Sequence, residues 1–262
     1  MTTLGHPIRL LSYNVKSGLQ HADGLAAVAR AIEVVDVDVV ALQEVDDATQ
    51  RSGRVDQTAW LRERLGYVAG VFGAATPWPG GGRYGVAILS RWPIVEHAVE
   101  RLWVPEPGAA PESETEPRVA LAARLSVADC TVCVVTLHLG LSAAQRRRQT
   151  VQVVDFATSF RRGAPMLVAG DFNADPEDAE MRVVHGAWRD AMVGHSYAER
   201  VSFPSRCLRG GSSSDDGERG IACDYVFVSD GVQATADVFH DELCASDHDP
   251  IVATCVVESS AE

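Results

Sequence analysis

Eight polar side chains of this sequence lie at or beside the end of a predicted strand. They are Asn14, Glu44, His138, Asp171, Asn173, Asp224, Asp247 and His248. Carboxylates, amides and imidazoles can hold a hard divalent cation and can take or give a proton. If these strand ends share one rim, that rim is chemically suited to a divalent cation together with a phosphate group.

The stretch 166–175, MLVAGDFNAD, shows this pattern most clearly. Its apolar start follows the breaker at 163–165, which predicts a buried strand. Asp171 and Asn173 are two residues apart, so in extended backbone they would point to the same side where the strand runs into a loop. A strand followed by an Asx turn explains these residues about as well, so the stretch alone does not decide between the two.

Asn14 and Glu44 end two further apolar segments. Residues 8–14, IRLLSYN, predict a strand that ends at Asn14, and the β-branched run 37–42 predicts a central strand that Gln43 and Glu44 close. Glu44 is then either an ordinary strand-end carboxylate in water or a metal ligand beside Asn14.

His138 and Arg118 each have an ordinary and a functional interpretation. His138 lies near the end of the predicted strand 130–139, where a lone histidine is more often a satisfied core residue. Arg118 follows the predicted exposed loop 106–117. An arginine at the point where a loop enters a strand is usually solvated or paired with a carboxylate, but it can also face a phosphate.

The last polar group precedes the final predicted strand. Asp247 and His248 are consecutive, so one loop can present a cation-binding oxygen and an imidazole without either covering the other. Asp224 begins the predicted strand 224–228. Its carboxylate could fix the tautomer of His248 and raise the basicity of the ring.

Three helices with capping residues are predicted around these strands, besides a further helix over 177–188. Asp23 is expected to cap a helix over residues 25–35, and Asp56 to cap a second one that Gly66 stops. A capping box at 142–145 starts a third helix, which runs to about Phe160.

The third helix carries three arginines in its first turns. Successive helical residues are about 100° apart, so Arg146, Arg147 and Arg148 fan out and are expected to be mainly solvated. Val151 and Val154 are expected to point inward.

Composition limits the number of domains and the classes of function that the chain can have. The chain has 262 residues, 46% of them hydrophobic, which suits one large α/β domain as well as two small ones. No boundary stands out, so a single domain over 1–262 is predicted. No apolar run of about 18 residues is present, and a cytoplasmic monomer is expected. The net charge of −13 disfavours a broad nucleic-acid-binding surface, although a bound cation can reverse the local field.

The six cysteines do not form a convincing framework. Cys130 and Cys133 have metal-site spacing, but strand alternation turns them to opposite faces, so a zinc or redox role is disfavoured. Reduced core thiols are the expectation for the others. A bridge from Cys207 to Cys223 across the loop 209–220 is left open.

Seven short motifs, in this order, resemble those of the endonuclease/exonuclease/phosphatase superfamily, which includes pancreatic deoxyribonuclease, neutral sphingomyelinases and inositol polyphosphate 5-phosphatases. The motifs are SYN at 12–14, LQEV at 42–45, YGVAILS at 84–90, TLHLG at 136–140, GDFNADP at 170–176, DYVF at 224–227 and SDHDPI at 246–251. The resemblance covers nearly the whole chain and implies a four-layer α/β sandwich, in which two mixed β-sheets pack together and helices flank them.

The resemblance also implies roles for single residues. Glu44 would be the main magnesium or manganese ligand, with Asn14 and Asp247 close to the metal. Asp171 would orient or deprotonate the attacking water, and Asn173 would position that water or the phosphate. The groups that would stabilise the pentacovalent phosphorus or assist proton transfer are His138 and His248, the latter held by Asp224, while Arg118 would contribute charge.

Three departures bear on the substrate. Ala222 and Cys223 precede Asp224 where many relatives carry a basic and an aliphatic residue, and Asp46 stands where family nucleases can carry a basic one. No basic segment with interleaved aromatics is present for gripping a duplex. We therefore expect a metal-dependent hydrolase acting on a small-molecule or lipid-derived phosphoester. A nuclease acting on DNA or RNA is the alternative, and a non-catalytic binding module is less favoured because no expected catalytic position is substituted.

Overall fold

Two six-stranded mixed β-sheets form the centre of the protein. A computed structural model describes residues 7–106, 108, 111, 115–209 and 220–257. The predicted loop at 209–220 therefore lies largely outside the described residues, and the loop at 106–117 does so in part. Each sheet contains one parallel pair of strands among antiparallel ones.

The first sheet has the strand order β11-β12-β1-β2-β4-β3. Its strands are β1 (Pro7–Asn14), β2 (Val39–Asp47), β3 (Ala69–Pro77), β4 (Arg83–Ser90), β11 (Val232–Val238) and β12 (Ile251–Val257). The second sheet has the order β5-β6-β7-β8-β10-β9. Its strands are β5 (Ile94–Arg101), β6 (Val119–Val127), β7 (Cys130–His138), β8 (Met166–Asp171), β9 (Arg189–Asp190) and β10 (Asp224–Val228).

Helices cover the outer faces of both sheets. They are α1 (Leu25–Val35), α2 (Gln57–Leu65), α3 (Ala143–Arg161), α4 (Arg182–Ala187) and the short α5 (Tyr197–Arg200). The apolar residues of α1 and α2 pack on the first sheet and those of α3 and α4 on the second, while a third cluster fills the space between the sheets. This is the predicted four-layer αββα sandwich. Among the described residues, no helix has the length and apolar composition to cross a membrane.

Strand register brings the candidate functional side chains together at one end of the sheets. His138 is the parallel partner of Asp171, and Asp224 is the antiparallel partner of the same residue, so three neighbouring strands present them in one row. In the first sheet Asn14 pairs with Gln43. Gln43 reaches across the interior and donates a hydrogen bond to Thr136 Oγ1 at 2.9 Å, which fastens the two sheets together behind this edge.

Strand β2 differs from its prediction. The sequence predicts that it closes at Gln43 and Glu44, whereas it continues to Asp47 through a register shift between Leu42 and Val45. Glu44 lies in that bulge with φ of 56°, in the left-handed region that β-branched or bulky residues rarely adopt. The Glu44 side chain lines the cleft described below.

Several details of the predicted helices are wrong. Asp23 does not cap α1; Gly24 holds that position, and Asp23 pairs with Arg30 instead. Val151 is 46% exposed, and the buried valine of that turn is Val153. The cap of α2 by Asp56 and the capping box of α3 are confirmed.

Of the three arginines at the start of α3, one contradicts the expectation of solvation. Arg146 is buried and pairs with the buried Glu180 at 2.7 Å. Arg147 and Arg148 are exposed. Periodicity had shown correctly that the three fan out, but not which of them would meet a carboxylate brought in from another segment.

The cysteine pairing also differs from the one left open. Cys207 is bonded to Cys244, while Cys223 is a buried free thiol. The bond connects the segment after Phe203 to the segment that carries Asp247 and His248. Cys130 is exposed and Cys133 buried, in agreement with the predicted opposite faces.

Candidate active site

A cleft of about 510 Å³ opens at the edge where the strand ends meet. Among its lining residues are seven that the sequence singled out, namely Glu44, Arg118, His138, Asp171, Asn173, Asp247 and His248. Asn14 and Asp224 are buried directly behind this lining. The structure therefore brings together all nine residues that were predicted to carry or support the chemistry.

Asp171 lies at the centre of the group. Its Oδ2 atom accepts a hydrogen bond from Asn14 Nδ2 at 3.0 Å. The same oxygen lies 3.4 Å from His138 Nε2 and 3.8 Å from His248 Nε2. Two imidazoles and an amide from three different segments thus converge on a single carboxylate oxygen at the floor of the cleft.

Asn14 connects this centre to Glu44. The Asn14 Nδ2 atom also donates to Glu44 Oε1 at 3.1 Å, so one amide lies between two carboxylates. Asn14 Oδ1 accepts from the backbone N–H of Lys16 at 3.2 Å. In this orientation Asn14 positions Glu44 and Asp171.

Asn173 lies in a tight turn beyond the strand. Its φ is 49° and its backbone N–H donates to Asp171 Oδ1 at 2.9 Å, which is an Asx turn. Its side chain donates to the Leu139 carbonyl at 3.0 Å. The premise of extended backbone was therefore wrong, yet both side chains line the same cleft because the turn folds Asn173 back over the strand end.

His248 is held from behind by Asp224. The His248 Nδ1 atom lies 2.8 Å from Asp224 Oδ2, and the ring of Phe203 packs 4.7 Å away between centroids. Ser246 Oγ donates to the Asn14 carbonyl at 2.6 Å, which fastens this loop to the end of β1.

His138 has a different neighbour. Its Nδ1 atom lies 3.0 Å from a guanidinium nitrogen of the buried Arg118. A second nitrogen of Arg118 pairs with Glu116 at 3.0 Å. A guanidinium can only donate, so His138 Nδ1 must be the acceptor and its proton must lie on Nε2, toward Asp171.

These contacts shift the proton affinities of the site in different directions. Burial and the charge of Asp224 raise the pKa of Asp171 to about 6. Burial and the Arg118 charge hold the pKa of His138 well below its usual value. Burial also acts to lower the pKa of His248, but the charge and hydrogen bond of Asp224 outweigh it and raise that pKa to about 10.

Oxygen donors suited to a hard cation lie on the Glu44 side. Burial raises the pKa of the Glu44 carboxyl, and the hydrogen bond from Asn14 acts against that rise. Asp247 already holds a cation, because Lys16 Nζ lies 2.6 Å from its Oδ2 atom. Magnesium and manganese prefer such oxygen ligands, so the donor set fits the predicted ion.

A second cluster with metal-ligand atoms is less suitable. Asp171, Cys223 and His248 present atoms within 4.8 Å of one another. Burial raises the pKa of the Cys223 thiol well above its usual value, and its Sγ atom donates to Asp224. A protonated thiol is a poor ligand for a hard cation.

Sequence reasoning did not single out Lys16, nor Arg51, Trp78 and Tyr84, which line the cleft. Lys16 reaches Asp247. Arg51 stacks on Trp78 with its guanidinium carbon 3.5 Å from the ring centroid, and Tyr84 lies beside them in the same wall. The available signals were weak: Lys16 follows Asn14 by two residues, and Trp78 stands in the glycine-rich loop after Pro77.

Comparison with known proteins gives a consistent result. A sequence model described as the endonuclease/exonuclease/phosphatase family matches residues 11–248. The uncharacterized protein YbhP of Escherichia coli K12 is 31% identical over 152 residues, which are 55% of this chain and 56% of YbhP. The chain thus spans about half the length of the curated relatives it matches.

Solved structures share the fold over almost the entire chain. An endonuclease/exonuclease/phosphatase from Beutenbergia cavernae superposes with a TM-score of 0.74 at 20% identity, covering 97% of this chain and 72% of that one. A mannosyl-6-phosphatase from Bacteroides thetaiotaomicron gives a TM-score of 0.70 at 18% identity, covering 95% and 99%. From the family match, which begins in β1 and ends at His248, we conclude that the chain belongs to the endonuclease/exonuclease/phosphatase family.

Proposed function

We propose that the protein is a divalent-metal-dependent hydrolase that cleaves a phosphodiester or phosphomonoester of a small molecule or lipid head group. Water is the nucleophile and attacks phosphorus in line with the leaving group. The observation that carries this proposal is the convergence of Asn14, His138 and His248 on one oxygen of Asp171 at the floor of a cleft.

Asp171 is the proposed base. Its pKa of about 6 suits proton abstraction near neutral pH, where the carboxylate is ionised but still accepts a proton readily. The Asn14 and Asn173 contacts hold its two oxygens in fixed directions. Asn173 is also proposed to position the water or the phosphate.

The two histidines and Arg118 are proposed to stabilise the phosphoryl group as charge develops on it. His248 carries a proton and a positive charge at neutral pH, because Asp224 raises its pKa to about 10. His138 is neutral and offers its Nε2 proton. Preoriented donors of this kind stabilise a transition state without reorganising when charge appears.

The metal is proposed to be magnesium or manganese, held by Glu44 and Asp247 with Asn14 close to it. When bound, such an ion neutralises charge on a phosphoryl oxygen as a Lewis acid. The chain's own part is to present oxygen donors from two segments, and the bulge at Glu44 serves that purpose.

A small substrate fits this cleft better than a nucleic acid. The cleft is compact, and the net charge of −13 repels a polyanion outside the site. The same fold serves the mannosyl-6-phosphatase named above, so a small phosphomonoester is compatible with this architecture. A nuclease would show steep loss of binding with added salt, whereas hydrolysis of a small ester should respond weakly.

The wider predictions of one domain over 1–262, a monomer and a cytoplasmic location are part of this proposal. The shared cleft supports the single domain, because residues of both sheets line it. The location can be tested at the Cys207–Cys244 bond, because cytosolic thiols are normally kept reduced. Alkylation of the protein directly in lysed cells, followed by mass measurement, reports whether this pair is oxidised there.

The substrate class is tested by a magnesium-dependent screen over nucleotides, inositol phosphates, lysophospholipids, sphingomyelin and nucleic acids. The metal role is tested with Glu44→Ala on bis-p-nitrophenyl phosphate. We expect loss of most magnesium-dependent activity, while Glu33→Ala, which removes an exposed carboxylate paired with Arg64, keeps it. Equal activity of Glu44→Ala and the unsubstituted protein would remove Glu44 from the metal site.

A further inference from the structure

Lys16 is the single lysine of the chain; the other 22 of its 23 lysine and arginine residues are arginine. It follows Asn14 by two residues and adopts a left-handed backbone conformation with φ of 45°. Its ammonium donates to Asp247 Oδ2 at 2.6 Å and to Gln20 Oε1 at 3.2 Å. The one lysine ammonium of the chain therefore lies on a carboxylate of the proposed metal site.

The other cations of the cleft have partners outside the proposed metal ligands. Arg51 is bound by both oxygens of the buried Asp46, and Arg118 by Glu116. Lys16 differs from them because its partner Asp247 is itself a proposed ligand. A divalent ion that binds Asp247 meets a positive charge already in place there.

The Lys16–Asp247 pair is able to break. The Lys16 side chain is 43% exposed and Asp247 18%, so water competes for both charges, and exposed ion pairs contribute little stability. A lysine ammonium is a compact point charge on a flexible stem, whereas an arginine would fix a carboxylate through two parallel bonds. The Lys16 backbone stays fastened by its N–H to Asn14 Oδ1 while the side chain moves.

We propose that Lys16 is an exchangeable cation of the active site. It pairs with Asp247 in the metal-free protein, is displaced when a divalent ion binds that carboxylate, and then pairs with an oxygen of the phosphoryl group. This inference rests on the proposed function, because it requires a metal at Asp247.

The first test is calorimetric titration with Mg²⁺ alone. Removing a competing charge near the ion in Lys16→Gln should tighten Mg²⁺ binding on the order of tenfold, while Lys16→Arg should bind no more tightly than the unsubstituted protein. The matched control is Arg30→Gln, which removes one positive charge from the exposed pair with Asp23 outside the cleft and should leave Mg²⁺ affinity unchanged. Equal affinities of Lys16→Gln and the unsubstituted protein would overturn the proposal.

The second test observes Lys16 directly. Reductive ¹³C-methylation labels amines only, so the chain gives one ε-amine signal besides that of the N-terminus, and Lys16→Gln identifies which is which. We expect Mg²⁺ to move the Lys16 signal, and inorganic phosphate to move it again only when Mg²⁺ is present. In Asp247→Asn, Lys16 has lost its charged partner. The Lys16 signal of this variant without metal should therefore differ from that of the unsubstituted protein without metal.

The outcomes separate this inference from the function on which it rests. If Mg²⁺ binds in a Glu44-dependent manner but the Lys16 signal does not move, the exchange is wrong and the metal site stands. If Mg²⁺ does not bind at all, the proposed function fails and the exchange fails with it. If Mg²⁺ moves the signal and phosphate does not, the contact with the phosphoryl group is refuted.

Discussion

The two histidine regions of the cleft face the same carboxylate and yet differ in charge. His138 ends β7 and has Arg118 behind it, while His248 lies in the loop before β12 and has Asp224 behind it. Both rings are buried, and both present Nε2 to Asp171 Oδ2, at 3.4 and 3.8 Å. The pKa of His138 is nevertheless held well below its usual value, and that of His248 is raised to about 10.

Because burial lowers the pKa of both rings, the difference between them comes from the charges around each ring. Burial disfavours the charged form of both imidazoles. A guanidinium adds to that effect at His138, whereas a carboxylate reverses it at His248. A pair of groups whose surroundings push their pKa values apart can divide the work of a neutral donor and a charged one.

The largest effect is expected from removing the carboxylate that the two regions share. Asp171→Asn deletes the proposed base and should lower kcat by about 10²–10⁴-fold. Mg²⁺ affinity should change little, because Glu44 and Asp247 are the proposed ligands. Steady-state kinetics and calorimetry measure the two quantities, and a kcat near that of the unsubstituted protein would refute the assigned role.

The next effect comes from removing the carboxylate behind His248. Asp224→Asn should lower the pKa of His248 from about 10, because burial is then opposed only by the charges of Asp171 and Asp247. Loss of such a supporting contact typically costs about 10–100-fold in activity. NMR titration of the ring reports the pKa. Asp190→Asn, which breaks the buried pair with Arg200 outside the cleft, is the control and should leave the His248 titration unchanged.

A smaller effect is expected at the other histidine. Arg118→Met removes the cation that helps to lower the pKa of His138, so this pKa should rise toward its ordinary value. We expect a change in kcat of about tenfold, equivalent to about one pKa unit of differential interaction. The comparison of the two regions would be wrong if the His138 titration were the same in the variant and the unsubstituted protein.

The last prediction concerns stability rather than activity. The folded-state pKa of His248 is raised from 6.5 to about 10, so protonated His248 stabilises the metal-free fold fully below about pH 6.5, and this contribution is lost as pH rises through about 10. Substitution His248→Gln should therefore lower the free energy of unfolding more at pH 6 than at pH 10. Urea denaturation at both pH values measures it, and a larger loss at pH 10 would contradict the raised pKa.

The resemblance of seven short motifs to a known family implied the sandwich, and short local patterns indicated which residues belong to the site. Apolar runs that end in Asn14, His138 and Asp171 specify buried strands with polar ends. When β7, β8 and β10 pair in the observed register, His138, Asp171 and Asp224 become neighbours. The assigned roles of these residues remain predictions that the experiments above test.

Other features depend on contacts between segments far apart in the chain. Nothing near Lys16 indicates that its partner is Asp247, and nothing near Cys207 distinguishes Cys244 from Cys223. The burial of Arg146 follows from the approach of Glu180, which helical periodicity does not report. The bulge at Glu44 was missed because the apolar run 37–42 predicts a strand that closes at Gln43 and Glu44, whereas β2 continues to Asp47.

By itself, the sequence indicated the buried strands that end at the site and most of the polar side chains at their ends, because strand patterning is local and has a period of two residues. Only the tertiary structure decided how those side chains are charged. A pKa depends on burial and on charges within a few ångströms, and the charges around His138 and His248 come from segments that are distant in the chain.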